Sequence, residues 1–97
     1  MPNSKLELMS DQAQRHPDAF LFGVYLAHDY VNDRVTGIYN GNLALVNKAV
    51  KQAMLSEAAS IGTRHALSHG FAPEAIPALI YGIETGADEV LSEEGVA

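Results

Sequence analysis

The chain has 97 residues, 47% hydrophobic and 19% charged, and no cysteine. That is enough for one domain with its own core, too apolar for global disorder, and it excludes disulfide frameworks, thiolate metal sites and cysteine nucleophiles. The net charge of −6 comes entirely from the last third: the Lys and Arg residues all lie before position 66 and are matched there by acids, while residues 66–97 carry Glu74, Glu84, Asp88, Glu89, Glu93 and Glu94 without a Lys or Arg. A chain with no basic footprint is not expected to bind nucleic acid directly.

In chain order, Ser4-Lys5-Leu6-Glu7 matches a capping box, and Leu6, Met9 and Ala13 fall on one stripe, which predicts a short amphipathic helix over 5–15. The start MPNSKLELMSDQ has no basic segment leading into an apolar one, so no signal peptide is expected. Pro17 disfavours a helical His16 and suits the first turn of a second helix, placed at 17–32. Apolar residues occur on nearly all its sides: Phe20, Val24, Ala27 and Val31 on one face, Leu21 and Tyr25 on another, Phe22, Leu26 and Tyr30 on a third. Such a helix must be central or lie at an interface. The run from Ala19 to Ala27 is only about half the ~20 residues of a membrane span, so no membrane contact is expected.

Residues 34–46 support two readings. Asn40-Gly41 between VTGIY and NLALV is a hairpin signal, which would make the chain α+β. Leu43, Val46, Val50, Ala53, Met54 and Ile61 instead continue at helical spacing for several turns, with Asn42 as N-cap. The longer period decides: 33–41 is read as a loop and 42 onward as a helix, reaching Ser68 or His69 before a Gly70 cap. On its flank Ala49, Ala53, Ser56, Ser60 and Thr63 form a stripe of small residues suited to a close neighbour. A last helix begins at Pro73 or Pro77, buries Ile76, Leu79, Ile80 and Ile83, and ends at Gly86 with one further turn to Ser92. The expected architecture is all-α, a small bundle of about four helices. It forms a single domain over 1–92, with 93–97 a flexible acidic tail.

His65 and His69, four apart in RHALSHG, share a helix face, as helical metal ligands do. His28, with Asp29 and Asp33, offers a second set. The same pair also fits the cationic end of a helix, favoured by its dipole and free carbonyls. Nucleophile elbows, phosphate loops and dinucleotide fingerprints do not occur, and Ser68-His69 and His28-Asp29 are chain neighbours that point apart on a helix. The expected protein is therefore not an enzyme and needs no cofactor. It is read as a cytoplasmic protein-interaction module and homodimer. Its self-contact is Phe20, Gly23, Val24, Ala27 and Val31, and its acidic surface of Glu84, Asp88, Glu89 and Glu93 meets a basic protein partner. The alternative is a small metal- or ligand-binding helical protein using His28, His65 and His69.

Overall fold

The computed structural model describes residues 11, 13–41 and 46–93. Three long helices account for most of them: α1 (Pro17–Tyr39), α2 (Lys48–Ser68) and α3 (Ile76–Glu93), the last entered through a 3-10 turn at Pro73–Ala75. The fold is an all-α bundle, with no strand among the described residues. The capping box at Ser4, most of the helix read over 5–15, the Asn42 cap and residues 94–97 of the tail read over 93–97 lie outside the described residues, and Glu93 is the last residue of the final helix. Residues 13–15 are helical, and Arg15 reaches Asp11 one turn back at 3.1 Å.

Pro17 opens α1, where its missing N–H costs nothing and its fixed φ is already helical, and Asp18 in the first turn complements the dipole. The helix does not stop at residue 32. The segment read as a loop, 33–41, is helical through Tyr39, because Val31 and Val35 continue the buried stripe one turn further. Asn40 (φ 55°) and Gly41 (φ 81°) then end it in two left-handed residues, whose N–H groups both donate to the Val35 carbonyl. A hairpin turn of this kind and a helix C-terminus both require positive φ, so Asn-Gly announces either one.

Helix α2 begins later than the sequence suggests. Val46 is buried but not helical, and the N-cap is Asn47, whose Oδ1 accepts the Val50 N–H at 2.9 Å. Replacing that acceptor leaves a first-turn amide without its partner, so Asn47→Ala is expected to lower stability by about 1 kcal/mol in urea unfolding. The far end follows expectation. Gly70 is left-handed at φ 91°, Phe71 N–H donates to the Ala66 carbonyl, and the Phe71 ring folds back to 5.5 Å from Phe22. The buried stripe, however, is Met54, Ala58, Gly62 and Ala66. The anticipated small-residue flank lies mostly in solvent, with Ala49, Ala53, Ser56 and Ser60 exposed.

The centre of the molecule is the crossing of α1 and α3. Leu79, Ile83 and Leu91 are fully buried there, together with Ala27 and Val31 of α1. Gly86 does not end α3, which runs on to Glu93. A Cβ at Gly86 would stand 2.5 Å from the Val24 carbonyl oxygen and 3.0 Å from the Ala27 Cβ. A Cβ at Gly82 would fall on the Phe20 carbonyl, and one at Gly23 on that of Leu79. The two helices thus meet backbone to backbone along a glycine seam. No helix among the described residues is long and apolar enough to cross a membrane.

Candidate functional site

The glycine seam decides what the sequence-predicted self-contact can do. Ala27 and Val31 have almost no accessible surface, Gly23 is buried against α3, Val24 is half-buried, and the Phe20 ring lies 5.4 Å from Tyr81. This face of α1 is covered by the chain's own α3, so a second copy would not meet it. The expectation rests on a short chain being unable to wrap an apolar helix; small residues let one neighbour cover the face at close range.

The outer face of α1 is a different matter. Leu21 is 45% exposed and Tyr25 64%, and Leu67 on α2 is 46% exposed. Helix α2 packs less closely on α1 than α3 does, and an open groove of about 450 Å³ lies between them. Its half-buried floor is Phe22, Leu26, Tyr30 and Ile61, and its exposed banks carry Tyr25, Asp29 and Asp33 from α1 and His65 from α2. The two walls are joined at both ends of the groove. At one end the Phe22 ring lies 6.2 Å from His69 and edge-on to Phe71. At the other, Arg34 donates to Glu57 at 2.5 Å, donates through Nε to the Tyr30 hydroxyl at 3.1 Å, and stacks over the Tyr30 ring.

The three histidines do not converge. His28 pairs with Glu89 on α3 at 2.9 Å, while His65 borders the groove between α1 and α2. His69 donates its Nδ1 hydrogen to the His65 carbonyl at 2.7 Å, so that ring serves the exposed end of α2. Among the described residues no three His, Asp or Glu side chains gather where one metal ion could be held.

The acidic segment is also divided. Asp88 binds Lys51 of α2 at 2.5 Å, Glu89 binds His28 of α1, and Glu84 is half-buried; the side chain of Glu93 lies outside the described residues. Exposed pairs such as these contribute at most about 1 kcal/mol each, so they set the orientation of α3 more than they hold it. The charge that looks uncompensated along the chain is partly met by Lys51 and His28 of the earlier helices. Asp29 and Asp33, by contrast, have no ion-pair partner among the described residues. The sequence singles them out only as metal ligands. Their placement four apart, following Leu21 and Tyr25 at the same interval, is the signal that marks one mixed apolar and acidic stripe.

No protein-family model matches this chain, and comparison with curated proteins and with solved structures gives no significant match.

Proposed function

We propose that this chain is a non-catalytic protein-interaction module that docks its partner in the groove between α1 and α2. The observation that carries the reading is the groove itself: an apolar floor beside exposed Tyr25, with Leu21 one turn before it on the same face, bordered by carboxylates with no cation of their own among the described residues. Apolar centres with a polar rim are the anatomy of protein interfaces, and exposed tyrosine is a favoured anchor because it buries a large area with little loss of freedom. A cytoplasmic setting suits the cysteine-free composition. The acidic surface of α3 is a weaker docking candidate, since Asp88 and Glu89 are engaged within the fold. The histidine reading has no comparable support, because His28 sits apart from the other two.

A photo-crosslinking amino acid placed at Tyr25, and separately at the exposed Glu74 as control, tests the reading in cells. Position 25 is expected to give a discrete protein adduct that excess unmodified chain suppresses, and position 74 none. Equal labelling at both sites, or none at 25, would overturn it.

A further inference from the structure

We infer that the occupant of this groove is a basic amphipathic helix of another protein, with its apolar stripe on the floor and two of its Lys or Arg side chains, one turn apart, on Asp29 and Asp33. The inference rests on the groove being a docking site, and it follows from which groups line the two sides and which are already paired.

Phe22, Leu26 and Tyr30 recur every four residues along α1, and with Ile61 of α2 they make the half-buried floor. From Phe22 to Asp33 the groove runs about 16 Å along α1, the length of roughly three turns of a helix laid beside it. Both walls are helices whose backbone groups bond internally, so neither offers an edge to an extended strand. A segment covering an apolar floor also takes its own amides out of water, and a helix satisfies them within itself. Charge then selects among helices. Asp29 and Asp33 on the α1 side are exposed and have no ion-pair partner among the described residues. The α2 side contributes Ile61 and His65, and among the described residues no Lys or Arg lines the groove. Arg34, next along α1, is engaged by Glu57 and the Tyr30 hydroxyl. An acidic occupant would meet like charge here, and a purely apolar one would strip water from two carboxylates without replacing it. Asp29 and Asp33 stand about 6 Å apart in helix rise, the same interval as two cations four apart on a helix lying alongside. Tyr25, 64% exposed and one turn before Asp29, gives the methylene stem of such a cation an aromatic surface to cross. The net charge of −6 draws a basic partner in and opposes a second copy.

Fluorescence anisotropy of the full chain with an amphipathic peptide of about sixteen residues tests this, its apolar stripe of leucines held constant and its flank carrying lysines in one version and glutamates in another. At physiological ionic strength the wild type is expected to bind the lysine peptide roughly tenfold or more tightly than the glutamate peptide. Asp29→Lys should weaken the lysine peptide roughly fivefold or more, since it replaces an attraction by a repulsion, while Glu74→Lys, the same charge change on an exposed residue away from the groove, should have little effect. The double variant Asp29→Lys with Asp33→Lys should reverse the preference and take the glutamate peptide, with an unchanged helical circular-dichroism spectrum. Equal binding of the two peptides, no binding of the lysine peptide, or equal effects of Asp29→Lys and Glu74→Lys would overturn the inference. Cross-linking from position 25 separates that failure from the loss of the groove. An adduct with a second copy, or through a segment without Lys or Arg, retains the docking site and loses the basic helix; no adduct together with no peptide binding loses both.

Discussion

Gly82→Ala is expected to destabilise the chain by about 3 kcal/mol or more, over half the total if stability lies near the low end of the usual range, and to raise the unfolded population roughly a hundredfold. The added methyl would fall on the Phe20 carbonyl, and the next nearest atoms, Phe20 C and Val24 N, are backbone as well. No side-chain rotation can relieve the clash, so α1 and α3 would have to separate along the seam and loosen the packing around Ala27, Leu79 and Ile83. Gly37→Ala is the matched contrast. Its Cβ would meet nothing within 4 Å, and the position lies within α1. There the substitution only removes backbone freedom from the unfolded chain, and should raise stability by about 0.5–1 kcal/mol. Urea unfolding of the two variants beside the wild type gives both signs in one experiment. Equal, small effects would mean that α1 and α3 do not meet as closely as described.

Leu79→Ala carries the other large effect. Leu79 is among the largest side chains with no accessible surface, and it lies where the glycines bring α1 against α3. Removing its branched end deletes buried apolar atoms and leaves a cavity that backbone in near contact cannot easily fill. A loss of about 3–5 kcal/mol is expected, the upper part of the range for this change. For a domain of this length that is a fall in melting temperature of roughly 12 °C or more. Thermal unfolding followed by circular dichroism reads it directly. Leu67→Ala is the control, because nearly half of that side chain is already in solvent.

How much of this is legible in the sequence depends on whether a signal has one meaning or two. Pro17 at a helix start, Gly70 followed by Phe71 at a helix end, and the helical period through Val50, Met54 and Ile61 each have one dominant reading, and the all-α class follows from them. Asn40-Gly41 has two, since the positive φ that closes a hairpin also stops a helix, and only the burial of Val35 shows that α1 extends that far. Gly86 likewise reads as a stop or as a point of close approach, and the choice lies with Val24, distant in sequence. The candidate site is the least legible part. Leu21 and Phe22 are adjacent and similarly apolar, yet one faces solvent and the other forms part of a groove floor. That difference is set by where α2 rests, which local pattern does not encode. The partners of Asp88 and Glu89 are distant in the chain for the same reason, so the acidic excess of the last third can be counted but not placed.

The glycine seam also bears on how the chain reaches its folded state. It joins positions roughly sixty residues apart, with the whole of α2 as the intervening loop, so closure is entropically costly compared with neighbouring helices that zip together. Glycines make both partners weak helices in isolation, and neither α1 nor α3 gains much order before the other arrives. The rate-limiting event should therefore be the encounter of the chain's two flanks. In stopped-flow refolding, seam substitutions should slow the forward rate, while changes at the α2 N-cap should act chiefly on unfolding.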